Sequence, residues 1–130
     1  MIGVDLVKDR GALVAAYDDA LGVTASFNLN VLLHVNRLLG SDFDMRDRRH
    51  VALFNEGESR IEMHLEARRG VGVRWPGAER RFNVGQRIHT ENSYKYRSDD
   101  FDALLRAAGF LQTVCWSVDS AGFAVFCATA

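Results

Sequence analysis

Ser59-Arg60-Ile61-Glu62-Met63-His64-Leu65-Glu66-Ala67 is the stretch that decides the fold class. Apolar Ile61, Met63, Leu65 and Ala67 alternate with polar Arg60, Glu62, His64 and Glu66. Successive side chains of an extended chain point to opposite faces, so this alternation predicts a half-buried strand. Downstream, Val71 to Trp75 and Arg81 to Val84 read as two more strands around a turn at Pro76-Gly77. Upstream the period changes. Leu13, Ala16, Tyr17, Ala20 and Leu21 follow helical spacing, with Gly22 placed to end the helix. Thr24 is placed to cap a second helix with an apolar stripe of Phe27, Val31, Val35 and Leu38, closed by Gly40. Ser41 to Arg49 is polar and loop-like.

The two ends complete the pattern. Ile2 to Val7 reads as a short buried strand. Helical spacing returns after Ser98, a suitable N-cap, with Asp99 and Asp100 in the first turn where they complement the helix dipole. Phe101, Leu104, Leu105 and Ala108 make its inner face and Gly109 stops it. Phe110 to Val118 and Phe123 to Ala128 are then two strands joined by Asp119-Ser120-Ala121-Gly122. The order predicts a mixed α+β fold in one domain, residues 1–130, without repeats or linkers. If Ser120 to Gly122 form a three-residue turn, Cys115 falls opposite Cys127. Opposed strand positions place Cβ atoms about 4.5–5.5 Å apart, wider than the usual disulfide span, so two free and adjacent thiols are expected.

Composition narrows the function. The chain has 130 residues, enough for one buried core, and 16 basic residues against 17 acidic ones. A net charge of −1 provides no long-range attraction to nucleic acid or anionic lipid, so neither is expected as a partner. Asp5 and Lys8 interrupt the N-terminus too early for a signal-peptide core. No run approaches the roughly 20 apolar residues of a membrane helix. With only Cys115 and Cys127 present, a disulfide scaffold is excluded and a reduced, cytoplasmic setting fits. His34, His50, His64 and His89 lack metal-ligand spacing, and no metal site is expected from them.

The segment with most chemistry is His89-Thr90-Glu91-Asn92-Ser93-Tyr94-Lys95-Tyr96, eight residues without an aliphatic side chain. If extended, it turns His89, Glu91 and Ser93 to one side and Thr90, Asn92 and Tyr94 to the other. A carboxylate and a hydroxyl two residues apart can converge on a ligand with two ring nitrogens. Imidazole is such a ligand, and Glu91 would favour its protonated form. A polar edge strand or an exposed loop satisfies the same pattern. Tyr17 and Met63 lie on apolar faces, positions that pattern alone assigns to the core.

Ile88-His89-Thr90-Glu91-Asn92-Ser93-Tyr94-Lys95-Tyr96 resembles a signature of the histidine-specific methyltransferase family, whose members make the betaine of histidine during ergothioneine synthesis. Further blocks agree in order: Gly3 to Asp9, Ala15-Ala16-Tyr17-Asp18-Asp19, Val23-Thr24-Ala25 with Phe27-Asn28-Leu29-Asn30, and Arg60-Ile61-Glu62-Met63-His64-Leu65. The resemblance implies four substrate-binding residues. Glu91 and Ser93 match residues that hold the imidazole, Tyr17 one that hydrogen-bonds the substrate carboxylate, and Met63 one that packs against the imidazole. Asn28 and Asn30 match the family without an evident role.

The resemblance also implies a fold, the C-terminal part of a Rossmann-like methyltransferase sheet. Residues 1–9 and 97–130 would supply sheet elements, and residues 10–96 an inserted helix-and-strand substrate-binding lobe. The implied cofactor is S-adenosyl-L-methionine, yet its glycine-rich loop is not recognisable. Gly70-Val71-Gly72 runs into a strand and opens no helix. The implied reaction, methylation of the L-histidine α-amine, would therefore need an N-terminal half, and no residue here is an obvious catalytic base. Three readings stay open: a truncated substrate-binding part of such an enzyme, a non-catalytic module that binds an amino acid or imidazole, or an orphan remnant with only a folding or assembly role. Unpaired strand edges and bare apolar side chains of Ile2, Val4 and Leu6 and of both C-terminal strands imply an N-terminal partner chain or a homodimer.

Overall fold

The computed structural model describes residues 1–118 and 122–130. Its elements are β1 (Ile2–Asp5), α1 (Arg10–Tyr17), α2 (Val23–Leu39), a 3₁₀ turn (Met45–Asp47), β2 (Arg48–Asn55), β3 (Arg60–Ala67), β4 (Val71–Trp75), β5 (Ala78–Phe82), β6 (Arg87–Tyr94), α3 (Ser98–Ala107), β7 (Gln112–Val118) and β8 (Phe123–Thr129). This is the expected mixture of α and β. Three antiparallel sheets form among the described residues, in the orders β1-β8-β7, β2-β3-β6 and β4-β5.

The stretch from Arg60 to Ala67 is the central strand of the middle sheet, and it is more buried than alternation suggests. Ile61 and Leu65 are fully buried on one face, but His64 and Glu66 on the other are also buried. Glu66 achieves this by taking Arg49 from β2 and Arg87 from β6, one guanidinium from each neighbouring strand. Those ion pairs hold its carboxyl below the ordinary range. β2 itself was hidden in the sequence by Arg48-Arg49-His50, which reads as a basic loop. Arg48 is buried with its guanidinium 4.0 Å from the Phe82 ring centroid, so its charge rests on an aromatic face and does not mark a loop.

The helices begin and end differently from the spacing. α1 stops at Tyr17, and Ala20 and Leu21 lie in a turn. The reason is Asp19, whose carboxylate accepts the backbone N–H groups of Val23 and Thr24 at 3.0 and 2.8 Å and so caps α2 in place of Thr24. The Thr24 and Val23 bonds pull the Asp19 carboxyl down to about 2. α2 packs inward through Asn28 and Leu32, while Phe27 and Leu38 of the expected stripe are 66% and 82% exposed. α3 buries Phe101 and Leu105 but leaves Leu104 exposed. Gly40 and Gly109 do close α2 and α3 with positive φ.

In the terminal sheet α3 covers one face, where Val4, Phe101, Leu105, Ala124 and Phe126 form a core. Val4 is thus buried rather than bare. The opposite face stays open, with Val114, Trp116 and Phe123 exposed. Gly3 belongs to that face: a Cβ there would stand 2.7 Å from the Phe123 ring. The cysteine register differs by one from expectation. Val118 pairs with Phe123, so Cys115 faces Phe126 and Cys127 faces Val114. The loop has four residues rather than three, and a one-residue slip turns the two thiols to opposite faces. Both are free, as expected, but they are not adjacent. The proposed turn itself falls largely on residues 119–121, outside the described residues. No helix among the described residues is long and apolar enough to cross a membrane.

The open face of the β1-β8-β7 sheet should drive association. Light scattering at high micromolar concentration should show a dimer or larger species for the chain and a shift toward monomer for Trp116→Glu. A monodisperse monomer of the unaltered chain would contradict this.

Candidate binding site on the middle sheet

The site arises where three separate elements end. β1 delivers Asp5, the last turn of α1 delivers Tyr17, and β6 delivers Glu91 and Ser93 and leads on to Lys95. β6 pairs with β3 antiparallel, with Ile61 opposite Ser93 and Met63 opposite Glu91. Leu13, Ile61 and Met63 form the buried cluster beneath, with Val14, Tyr17 and Phe54 packed against it. Met63 is therefore a core residue on the same sheet face as Glu91.

Tyr17 Oη and Ser93 Oγ lie 2.6 Å apart, although 76 residues separate them in sequence. Lys95 Nζ donates to both at 2.8 Å and pairs with Asp5 Oδ2 at 2.9 Å. Its side chain is completely buried, and its ammonium also lies 4.6 Å from the centroid of the Tyr17 ring. An ammonium has three N–H donors, and here each has an acceptor. Asp5 accepts from Lys8 at 2.7 Å as well. Burial raises the Asp5 carboxyl, but the hydrogen bonds and charges of Lys8 and Lys95 outweigh it and hold the group below its ordinary value. Ser59, at the turn before β3, pins the Lys95 backbone: Lys95 N–H donates to its carbonyl at 2.7 Å and its hydroxyl donates to the Lys95 carbonyl at 2.8 Å. Ser59 has φ +49°, a left-handed conformation uncommon outside glycine.

Tyr17, Met63 and Ser93 therefore converge. Glu91 shares their sheet face, and its exposed carboxylate makes no hydrogen bond or ion pair among the described residues. His89 does not join them. A β-bulge between Met63 and His64 inserts Thr90 and turns His89 to the opposite face, where its ring stacks on His64 at 4.6 Å. Thr90 Oγ1 donates to the Met63 carbonyl at 2.9 Å within the bulge. Asn28 has a structural role: its amide bridges His50 Nδ1 at 2.9 Å and the His64 carbonyl at 3.3 Å. His50 Nε2 then reaches the Tyr17 carbonyl at 2.7 Å, which fixes the end of α1 beside the site.

Lys95 and Asp5 were missed by the sequence reading. Lys95 lies two residues beyond Ser93, as Ser93 does beyond Glu91, so pleat spacing alone puts it on their face. Asp5 is the one acid in an apolar strand segment.

A half-buried pair of hydroxyls on a buried lysine, beside an exposed carboxylate and an apolar cluster, is a candidate binding face on a mixed α/β scaffold. The whole chain, residues 1–130, matches the family model of the SAM-dependent histidine-specific methyltransferases, and the protein belongs to that family. It is 49% identical over 124 residues to a histidine N-alpha-methyltransferase of Mycolicibacterium smegmatis, and 47% identical to one of Mycobacterium tuberculosis. Each match covers 94% of this chain but 38% of the relative. A Neurospora crassa ergothioneine biosynthesis protein 1 is 30% identical over 120 residues, which cover 90% of this chain and 13% of that protein.

The ion pairs of Asp5 have a defined pH signature. A depressed folded-state pKa stabilises the fold above the unfolded value of about 3.9 and loses that contribution as pH falls through the folded value. Asp5→Asn should cost on the order of 3 kcal/mol at neutral pH, because it unpairs a buried lysine. In urea titrations the gap between the two proteins should be constant from pH 8 to 5 and shrink on further acidification.

Proposed function

We propose that this chain is the C-terminal, substrate-binding part of a SAM-dependent histidine Nα-methyltransferase, with the imidazole of L-histidine held by Glu91, Ser93 and Met63 and its carboxylate by Tyr17. The observation that carries this reading is the network of Tyr17, Ser93 and Lys95 beside the unengaged carboxylate of Glu91. In the full enzyme the three terminal strands would extend a Rossmann-like sheet, and the open face with Trp116 would meet the rest of it. Two free thiols suit a reducing, cytoplasmic setting.

Residues of this chain do not fit a cradle for S-adenosyl-L-methionine. The connection from β1 to α1, Leu6-Val7-Lys8-Asp9, has no glycine, and Lys8 within it is engaged with Asp5. Gly70-Val71-Gly72 leads directly into the β4-β5 hairpin. The cofactor would be held by the N-terminal half of such an enzyme.

Donor bookkeeping favours a protonated ring in the bound substrate. Lys95 donates to both hydroxyls, and one of these donates to the other, so a single hydroxyl hydrogen remains for a ligand. If Tyr17 gives that hydrogen to the substrate carboxylate, Ser93 is left as an acceptor. Glu91 and Ser93 then accept two ring N–H groups, which only an imidazolium offers.

Calorimetric titration with histidine, with and without S-adenosylhomocysteine, tests the assignment. Glu91→Ala should weaken histidine binding by about 1.5–3 kcal/mol, the loss of a charge-assisted hydrogen bond, and leave phenylalanine binding little changed. Equal losses for both ligands would remove Glu91 from the imidazole site. Histidine should also bind more tightly as pH falls from 8 through its ring pKa of about 6.5, and affinity independent of pH would exclude the imidazolium form.

A further inference from the structure

On the face of the middle sheet opposite Glu91 and Ser93, β3 presents Glu62 and His64 two residues apart, and the bulge in β6 brings His89 directly across from His64. One donor atom from each of the three residues lies within 4.8 Å of the others. We propose that Glu62, His64 and His89 form a binding site for a divalent transition-metal ion of the zinc class.

Three features argue for a missing ligand. First, His64 is 8% exposed, yet among the described residues its Nδ1 has no hydrogen-bond partner and its Nε2 has only a long 3.6 Å approach to Glu62 Oε2. Buried imidazoles are ordinarily hydrogen-bonded, and Nε2, which faces Glu62 Oε2 without a normal bond, is the nitrogen that an ion between them would occupy. Second, Glu62 is half committed. Asn55 and Arg60 both direct their N–H groups to Oε1, at 2.9 Å each, and leave Oε2 turned toward His64. Third, His89 Nε2 lies 3.1 Å from the Glu91 carbonyl. Donation there places the ring proton on Nε2 and leaves Nδ1 with its lone pair, the way a backbone carbonyl orients a ligating imidazole.

Two imidazole nitrogens and one carboxylate oxygen are a donor set for Zn²⁺, Co²⁺ or Ni²⁺. Ligand bonds of about 2.0–2.1 Å require the stacked His64 and His89 rings to turn until their lone pairs converge on the ion. His89 is exposed, which leaves a fourth position to water. Neighbouring cations are partly neutralised, although the Arg87 charge still acts against positive charge at His64. Arg60 is paired with Glu62 Oε1, and Arg87 with Glu66 at 2.8 Å. A metal here would clamp β3 to β6 across the bulge that aims Glu91 at the other face. The proposal stands apart from the histidine-binding reading, since its ligands share no side chain with that site.

The test is titration of the metal-stripped chain with Zn²⁺ in competition with a chromophoric chelator, repeated with Co²⁺ while its visible absorption is recorded. Cys115→Ser and Cys127→Ser in the background remove competing thiols. One ion per chain should bind, with a tetrahedral cobalt spectrum, and His89→Ala should weaken it at least tenfold. His64→Gln should do the same, with circular dichroism confirming that each variant is folded. His34→Ala, an exposed histidine of α2, should change nothing. Affinity unchanged in the folded His89→Ala variant, or lost in His34→Ala, would overturn the site.

Discussion

The fully buried ammonium of Lys95 is the interaction on which the binding face depends. It takes one acceptor from β1, one from the end of α1 and one from β6, and so ties elements that begin 2, 10 and 87 residues into the chain to a single point. A lone buried ammonium is strongly unfavourable, so the three acceptors must all be in place for the fold to form. Asp5 supplies the countercharge, while Tyr17 and Ser93 supply the two hydroxyl oxygens. The same hydrogen bonds thus join three elements and fix the two hydroxyls, with interatomic distances of 2.6–2.9 Å.

The bulge at Thr90 is the second determinant. In a regular strand His89, Glu91 and Ser93 would share a face, and the sheet would present one mixed cluster. One extra residue divides them. Glu91 and Ser93 turn toward α1 and Met63, and His89 turns toward His64 and Glu62. The middle sheet therefore has two chemically distinct faces, one with hydroxyls and a carboxylate over an apolar wall, the other with imidazoles and a carboxylate. The Thr90 hydroxyl bond to the Met63 carbonyl shows how the local sequence supports the irregularity.

Much of the architecture could be read from the sequence because it rests on local rules. Alternation at Arg60–Ala67 places β3, Pro76-Gly77 the β4-β5 hairpin, and glycines at 40 and 109 the ends of two helices. These features depend on backbone geometry within a few residues. Four polar residues in Glu91-Asn92-Ser93-Tyr94 do not reveal a site by themselves, and it is resemblance to a family that points to Glu91, Ser93, Tyr17 and Met63.

Only tertiary structure decided the rest, since the deciding partners are distant. Arg48 reads as a loop residue until Phe82, 34 positions later, is placed under its guanidinium. Phe27 and Leu38 read as core, yet α2 meets the sheet through Asn28 and Leu32, because the Asn28 bonds to His50 and His64 set its rotation. Lys95 reads as an ordinary surface lysine until Asp5 and Tyr17 arrive. The cysteine register turned on a single residue in the last hairpin. What the sequence by itself determined was where the chain is extended or helical, which is a matter of neighbours. Which faces are covered, and which polar groups are buried together, depends on long-range pairing that no local pattern encodes.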